Sequence, residues 1–423
     1  MSEQNYEVSD YLGIAPFLRC SINGENLMPL AKALFVETAE NIDNANAWLN
    51  LSIVLECIGL PKEAHNAQLQ ALNISREYLR NAARQPVSLR LLMFVIPGNL
   101  ATNTPLDCLL EFDDVEIVYY YINDDFDNIN SEDFQFFLTD EIPEHDVAMC
   151  GFADQSYRGE NAALWQQKFA EYLENNWEDE QGTPLINSPK AIGKTRRDVA
   201  SKEIAQLADM NLVMADVFSI PAEDLANAKL PENLKFPFII RPAGSQAGHG
   251  LEKIDNLDEL KIYYQNQQQQ QQESQSNLYF ASEFIDYKSA KDNLYRKMRI
   301  AVVEGEPYIC HLAISENWKV HYVNANMYDE NQQNRRDEEN QFMNQGFSEV
   351  AEKFADAFMA LYEKTGLDYF CMDCALLDDG RLVIFEFDQI CVVHDMDRRD
   401  KFAYKAQPMA RLRDAFRDYL LRV

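Results

Sequence analysis

Three carboxylates stand in two apolar runs near the C-terminal end of the chain. Asp373 closes the run DYFCMD over residues 368–373, and Glu386 and Asp388 belong to the run LVIFEFD over 382–388. Both runs indicate strands, and because side chains alternate along a strand, Glu386 and Asp388 point to one face. Carboxylate oxygens are the hard ligands that Mg²⁺ takes when it bridges nucleotide phosphates. We therefore expect a magnesium site here; solvated acids at strand ends are the alternative, which fits poorly with such apolar surroundings.

A glycine-rich segment follows another predicted strand. Residues 236–241 (FPFIIR) are apolar up to Arg241, and the sequence PAGSQAGHG occupies residues 242–250. Glycines allow unusual backbone angles and let backbone amides approach an anion, so this segment could cover phosphates. It has neither the spacing of a Walker loop nor a helix pattern at its end, which excludes that loop and a dinucleotide-binding fingerprint. A surface hairpin is the alternative interpretation.

Composition limits the classes of protein to be considered. The 423 residues are 47% hydrophobic and 11% aromatic, which is enough for more than one core, and the length suggests two or three domains. A formal net charge of −31 argues against general binding to nucleic acids or anionic membranes. The polar start and the lack of a long apolar run predict a soluble, cytoplasmic protein. Eight scattered cysteines predict reduced thiols without disulfides.

The first region, residues 1–85, carries helical periodicity. Apolar residues recur at spacings of three and four over 28–40, 46–58 and 62–80, with turn signals between them. These patterns predict helical hairpins. One stretch resembles a tetratricopeptide repeat of about thirty residues; the residues that match are Trp48, Leu51, Ser52, Leu55, Gly59, Ala64 and Ala71. Such a repeat could bind a peptide or protein partner, and the alternatives are a packing appendage or a surface for a homodimer.

The second region, residues 86–187, has a different period. Apolar runs over 89–96, 115–122 and 146–152 alternate with loop-type and helical segments, which predicts a small parallel α/β domain. The ends of its strands are where an open α/β sheet forms a ligand crevice.

The third region, residues 188–423, combines a basic helix over about 195–209 with several strands. We expect strands over 212–219, 236–241, 279–285, 295–303 and 308–315, in addition to the two acidic runs. The tract over 265–275 and the polar stretch over 328–345 are predicted as a helix continuation or loop and as a long solvated loop, respectively. The whole chain therefore combines α/β and α+β regions after N-terminal helices.

The order of these parts from about residue 88 to 423 resembles the ATP-grasp superfamily, and is most similar to the branch that contains the ribosomal-protein glutamate ligase. The resemblance implies a pre-grasp α/β domain and a grasp domain of two α+β lobes that hold ATP and Mg²⁺. It also implies that ATP phosphorylates a carboxylate and that an amine attacks the acyl phosphate. Arg241 matches the phosphate-binding lysine of the family and, as a fixed cation, could replace it. The mobile loop over the phosphates corresponds to the segment that includes Gly244, Ser245, Gly248 and Gly250.

The remaining roles follow from the same resemblance. Glu283, Phe284 and Ile285 match the hinge that meets the adenine edge, and Asp286 is a weaker candidate for the ribose. Arg299 matches the arginine that faces the transferred phosphoryl group. The magnesium ligands of the family correspond to Asp373, Glu386 and Asp388, the last of which replaces the usual asparagine.

The first lysine of the family pattern has no direct match. It falls on Asp198, which leaves Lys194, Arg196 or Arg197 to supply that charge; Lys194 and Arg197 are our candidates for nucleotide contacts. Two histidines complete the set of candidates, because His321 and His394 could each bind an acceptor or act as a general base. The alternative is that both are ordinary packed or surface histidines.

These features together predict a magnesium-dependent ligase that joins a carboxylate to an amine, which a peptide or protein could supply. The sequence leaves open whether the product is a peptide, a modified protein or a small metabolite. Two alternatives remain at this point. One is a kinase of the same fold, from which the phosphorylated product leaves without condensation. The other is a non-catalytic, nucleotide-binding adaptor that acts through the helical repeat.

Overall fold

A computed structural model describes residues 8–136, 142–180, 182–245, 248–270 and 277–423 of the chain. The helices are α1 (Ala15–Ile22), α2 (Met28–Glu40), α3 (Ala45–Cys57), α4 (Pro61–Ile74), α5 (Glu160–Glu180), α6 (Pro189–Ile192), α7 (Arg197–Ala205), α8 (Ala222–Ala226), α9 (Leu257–Gln270), α10 (Gln333–Gln341), α11 (Phe347–Lys353), α12 (Ala355–Thr365), α13 (Arg399–Phe402) and α14 (Ala406–Arg422). The strands are β1 (Glu77–Arg80), β2 (Leu89–Val95), β3 (Val115–Tyr121), β4 (Val147–Cys150), β5 (Leu185–Ile186), β6 (Leu212–Val213), β7 (Val217–Pro221), β8 (Phe238–Pro242), β9 (Glu252–Ile254), β10 (Leu278–Glu283), β11 (Tyr295–Val303), β12 (Glu306–Ser315), β13 (Tyr369–Leu376) and β14 (Leu382–Asp388). The prediction of a mixed α/β and α+β chain is confirmed.

The first sheet has the strand order β1-β3-β2-β4-β5. Strands β2 to β5 are parallel, as the apolar runs predict, and β1 pairs antiparallel with β3. Alternation along β2 places Leu91 and Met93 in a core shared with α2, α3, α4 and α14, and Leu92 and Phe94 in a core shared with α5. The sheet is therefore covered on both faces.

The end of the helical region differs from the prediction. Helix α4 ends at Ile74, because Ser75 is extended, with φ −144° and ψ 151°. Residues 77–80 form β1 instead of continuing the helix to residue 80, and Tyr78 and Arg80 are buried by the strand's alternation. The domain boundary that we expected at residue 85 therefore lies between β1 and the other strands of its own sheet. The helices pack against this sheet, and the tetratricopeptide likeness stays a prediction.

The third region contains two further sheets. One is antiparallel with the order β7-β10-β8-β9, and its core includes Phe238, Ile240 and Tyr279 together with residues of α8 and α9. The other has the order β12-β11-β13-β14-β6, with antiparallel pairs except for β14 and β6. Strands β11 and β14 have the predicted bounds, because each is a largely apolar segment that begins after a turn.

The polar stretch over 328–345 is not the long solvated loop that we expected. Residues 333–341 form α10, and Arg336 and Glu339 on it are buried. The Arg336 guanidinium donates to the carbonyl of Met327 at 2.9 Å, and Glu339 accepts from the Leu312 amide at 3.0 Å. Buried hydrogen bonds compensate for the lack of an apolar face. In the glutamine tract, α9 extends to residue 270, and residues 271–275 lie outside the described residues.

A buried asparagine joins the first sheet to the third. Asn187 has φ 53°, and its side-chain amide donates to the carbonyl of Tyr369 at 2.6 Å and accepts from the Tyr369 amide at 3.2 Å. Gln389 extends the contact by donating to the carbonyl of Phe152 at 2.8 Å. This joint lies at the predicted boundary between residues 187 and 188. Among the helices in the described part of the chain, none combines the length and apolar character needed to cross a membrane.

Candidate functional site

A cleft with a cavity volume of about 130 Å³ lies between the second and third sheets. Strands β8 and β10 form one wall, β11 and β14 form the other, and residues 318–321 contribute from the turn after β12. The predicted hinge residues Glu283, Phe284 and Ile285 all line it. Asp286 does not line it, and its Oδ1 accepts from the Lys288 amide at 3.1 Å.

Cross-strand register brings four side chains of the third sheet into one row. Arg299 on β11 is paired with His311 on β12 and with Asp373 on β13, and Asp373 is paired with Glu386 on β14. Because paired residues of neighbouring strands share a face, strand pairing alone places these side chains next to one another. The sequence predicted three of its members, and His311 was missed.

The Asp373 carboxylate forms ion pairs with two basic side chains. It is 1% exposed, and it accepts from Lys297 Nζ at 2.7 Å and from Arg299 Nε and Nη2 at 2.9 and 3.2 Å. Burial alone would raise the pKa of this carboxyl, but the charges of Arg299 and Lys297 hold its pKa well below the usual value. The sequence did not indicate Lys297 as a site residue. Its position two residues before Arg299 on one strand was the signal that could have found it.

Glu386 interacts with two arginines. Arg197 donates to its Oε2, and Nη1 of Arg241 lies 3.9 Å from the same oxygen. Burial and the neighbouring charge of Asp373 both act to raise the pKa of Glu386. The charges of Arg197 and Arg241 outweigh them, so the pKa of Glu386 is lowered. Burial also lowers the pKa of Arg241 to about 9, which leaves the side chain charged at neutral pH. Arg241 further donates from Nε to the hydroxyl of Ser245 at 2.9 Å.

Asp388 differs from the other two carboxylates. Burial raises its pKa to about 7, and the charge of Glu386 adds to this effect while the Ile390 amide, 3.3 Å away, opposes it. A nearby cation would stabilise the ionised form of such a carboxylate. Glu386 and Asp388 therefore fit Mg²⁺ as hard oxygen donors on one face of β14, whereas both oxygens of Asp373 already have partners. Over the described ranges, no group of three or more candidate ligands has the geometry of a metal site.

The glycine-rich turn is held closely between two aromatic side chains. Gly244 has φ +74°, and an added Cβ would lie 2.4 Å from the Tyr157 ring. Gly248 has φ +73°, and its added Cβ would lie 2.5 Å from Nε2 of His321. These positions require glycine both for backbone angle and for space. Gly250 shares the positive φ, while residues 246 and 247 of the turn lie outside the described residues.

The two candidate histidines are placed differently. His321 lines the cleft, and burial lowers its pKa to about 4, an effect that Lys297 strengthens. It is therefore neutral at pH 7. His394 does not line the cleft; its Nδ1 accepts from the Met396 amide at 3.1 Å, and burial lowers its pKa.

Of the basic residues before and in α7, one reaches the cleft. Arg197 lines it, whereas Lys194 donates from Nζ to the carbonyl of Lys364 at 2.6 Å, outside the cleft. Arg196 forms a two-bond pair with Asp198 at 2.6 and 2.8 Å, and the Ser219 hydroxyl donates to the same carboxylate. The structure thus brings Arg197, not Lys194, together with Arg241.

No family model matches the chain. The coenzyme γ-F420-2:α-L-glutamate ligase of Methanocaldococcus jannaschii is 33% identical over 95 residues, which are 22% of this chain and 30% of that protein. The chain thus matches less than a third of the length of this curated relative.

Several solved structures are similar at low identity. The VanG D-Ala:D-Ser ligase from Enterococcus faecalis is 12% identical, with a TM-score of 0.45, over 78% of this chain and 98% of that one. A D-alanine–D-alanine ligase from Bacillus anthracis is 14% identical, with a TM-score of 0.41, over 79% and 98%. A RimK-domain ATP-grasp protein from Sphaerobacter thermophilus is 12% identical, with a TM-score of 0.39, over 77% and 98%.

Proposed function

We propose that the chain is a magnesium-dependent ATP-grasp ligase that activates a carboxylate as an acyl phosphate and joins it to an amine. The observation that carries this proposal is the convergence of Arg197, Arg241 and Lys297 on one cleft between two sheets. These cations, in a largely apolar cleft that Lys319 also lines, suit a ligand with an aromatic base and several phosphates. The match to a protein named as a glutamate ligase favours the ligase class.

In this proposal the nucleotide base lies against Phe284 and Ile285, and Arg241 and Arg197 bind phosphate oxygens. Backbone amides of the glycine-rich turn add further donors for the phosphates. Glu386 and Asp388 would hold Mg²⁺, which neutralises charge on the phosphates when it is bound. Asp286, Lys194 and His394 stand outside the cleft, so their predicted contacts with nucleotide or acceptor would need a different conformation.

The proposed reaction has two steps. A substrate carboxylate oxygen attacks the γ-phosphorus, and the bond from that phosphorus to the bridging oxygen breaks, so ADP leaves with the electron pair. The amine nitrogen then attacks the acyl carbon, phosphate leaves, and the amine loses a proton. Arg299 does not line the cleft and donates to Asp373 and to the carbonyl of Val392, so its predicted contact with the transferred phosphoryl group would also need a different conformation. His321, which is neutral at pH 7, is the candidate that accepts the amine proton.

The test is a hydroxylamine trap. The purified protein is incubated with ATP, Mg²⁺ and a panel of carboxylates, and both ADP and acyl hydroxamate are measured. The proposal predicts that one carboxylate class gives both products and that Glu386→Gln abolishes them. Glu352→Gln, the same change at an exposed position of α11, serves as the control and should leave turnover unchanged.

Two results would contradict the ligase. Carboxylate-dependent ADP formation without hydroxamate would indicate a kinase of the same fold. Failure of the nucleotide to bind would indicate a protein that acts without ATP, for which the helical region would be the remaining functional surface.

A further inference from the structure

The magnesium site that the sequence predicts at Asp373 already contains a cation of the chain itself. Lys297 on β11 lines the cleft, and its Nζ lies 2.7 Å from Oδ2 of Asp373. The side chains of Lys297 and Asp373 are 10% and 1% exposed, respectively. A buried ion pair needs good geometry and further hydrogen bonds, because both charges lose water. The pair is therefore a specific feature of the cleft wall and not an incidental surface contact.

Both oxygens of the Asp373 carboxylate have cationic donors. Oδ2 accepts from Lys297 and from Nη2 of Arg299 at 3.2 Å, and Oδ1 accepts from Nε of Arg299 at 2.9 Å. A divalent ion bound to this carboxylate would have to displace one of these donors and would lie beside two positive side chains, which repel it. Asp373 is thus neutralised by the chain itself.

The two basic side chains of β11 differ in what they can still bind. Arg299 directs Nε and Nη2 at Asp373 and Nη1 at the carbonyl of Val392, 3.1 Å away, and it does not line the cleft. The ammonium group of Lys297 carries three N–H bonds. In the described part of the chain, Asp373 is the one hydrogen-bond partner of that group. Lys297 is therefore the member of the pair that has donors left for a ligand in the cleft.

Lys297 belongs to the charged end of the cleft. Burial lowers the pKa of His321, and the charge of Lys297 lowers it further. The pKa of Glu386, which burial would raise, is lowered by Arg197, Arg241 and Lys297. Lys297 thus lies near both groups and faces the same space as the two arginines. Hydrogen bonds from charged donors to phosphate oxygens are among the strong ones, so three such donors suit a polyphosphate.

Glu386 and Asp388 remain as ligands for a divalent ion. Arg197 donates to Oε2 of Glu386. Among the described residues, no side chain donates to Oε1 of Glu386 or to the carboxylate of Asp388, whose Oδ1 accepts from the Ile390 amide at 3.3 Å. Mg²⁺ is usually bound by one or two carboxylates, with phosphate oxygens and water as its other ligands. The two carboxylates therefore provide for a single ion.

We propose that Lys297 is a nucleotide-binding residue whose ammonium group takes the place of a divalent cation beside Asp373 and donates to a phosphate, so that the site binds a single Mg²⁺ at Glu386 and Asp388. This inference rests on the proposed function, because the phosphates of the nucleotide are the ligand of Lys297. It assigns to Lys297 the phosphate contact that was predicted for Arg299, two residues later on the same face of β11.

The first test is calorimetric titration with a non-hydrolysable ATP analogue in saturating Mg²⁺. Lys297→Met should bind the analogue at least about tenfold more weakly than the wild type, because a charged hydrogen bond to phosphate is lost. Lys229→Met is the matched control and should keep its affinity, since Lys229 lies outside the cleft with its side chain 74% exposed. Adenosine, which has no phosphate, should bind equally to the wild type and Lys297→Met.

The second test counts the metal ions. Mn²⁺ replaces Mg²⁺, and electron paramagnetic resonance of the free ion gives the number bound per complex of wild-type protein and ATP analogue. We expect a single bound Mn²⁺. This count uses the wild type, so it tests the inference even where Lys297→Met fails to fold.

Several outcomes would overturn the inference and leave the nucleotide site in place. These are a count other than one Mn²⁺, equal affinity of the wild type and Lys297→Met for the analogue, and an equal loss in Lys229→Met. A matching loss of adenosine affinity in Lys297→Met would also overturn it. Absence of analogue binding by the wild type would overturn the proposed function itself, and the inference with it. The two failures are therefore distinguishable.

Discussion

Asp373→Asn is the substitution that tests the arrangement of the site most severely. The change keeps the shape of the side chain and removes its charge. Lys297 and Arg299, whose side chains are 10% and 19% exposed, would then lack the carboxylate that both contact. Removing one partner from a buried ion pair costs about 3–5 kcal/mol, because the remaining charge is left uncompensated. We expect a loss of this size in the free energy of unfolding.

Thermal unfolding followed by circular dichroism measures the effect. For a domain of 150–250 residues, 1 kcal/mol shifts Tm by about 2–4 °C, so the variant should unfold about 6–20 °C below the wild type. Adding Lys297→Met to Asp373→Asn should recover part of the loss, because one uncompensated cation is removed. Asp379→Asn is the control, since its ion pair with Arg381 is exposed, and its Tm should stay close to that of the wild type.

The pH dependence of this difference follows from the lowered pKa of Asp373. A carboxyl whose pKa is lower in the folded protein contributes stability above its unfolded pKa of about 4, and the contribution is lost as pH falls through the folded value. The gap between the wild type and Asp373→Asn should therefore be constant from pH 8 to 5 and narrow only at more acidic pH. A variant that unfolds within 2 °C of the wild type at pH 7 would refute the reasoning.

Two further predictions concern the loop and the second carboxylate. Gly248→Ala should weaken binding of a non-hydrolysable ATP analogue, because its Cβ would meet His321; Gly59→Ala, which has a similar φ but no atom within 4 Å, should cost only stability. Equal nucleotide affinity in both variants would show that the Gly248 contact is irrelevant. Because the pKa of Asp388 is raised to about 7, the stability of the metal-free protein should fall as pH rises from about 4 through 7, and Asp388→Asn should flatten that slope. The same slope in both proteins would contradict the environment described for Asp388.

The parts of the fold that the sequence predicted are those with a strong local pattern. Strands β11 and β14 are largely apolar segments that begin after turns, and α2 has a helical period over its full length. Strand β1 was missed because its four residues form a strand only through pairing with β3, about forty positions later. Helix α10 was missed because its buried face is made of charged residues.

The same distinction applies to the site. Arg241 and Glu386 could be identified because each ends or occupies an apolar strand. Lys297 follows from alternation along β11 once Arg299 is assigned, whereas His311 takes its position from the register of β11 and β12, which alternation within one strand does not specify. Lys194 was expected in the cleft, but its side chain donates instead to a carbonyl at the end of α12, a partner 170 positions away along the chain.

The central claim is that the cleft between the second and third sheets binds a nucleotide through Arg241. The most direct measurement is calorimetric titration with a non-hydrolysable ATP analogue, in Mg²⁺ and then in EDTA. The account predicts saturable, magnesium-dependent binding that Arg241→Ala weakens by at least about 2 kcal/mol, or roughly thirtyfold. Arg381→Ala, at an exposed position, should bind like the wild type. No binding in either condition, or equal affinity in Arg241→Ala and the wild type, would contradict the claim.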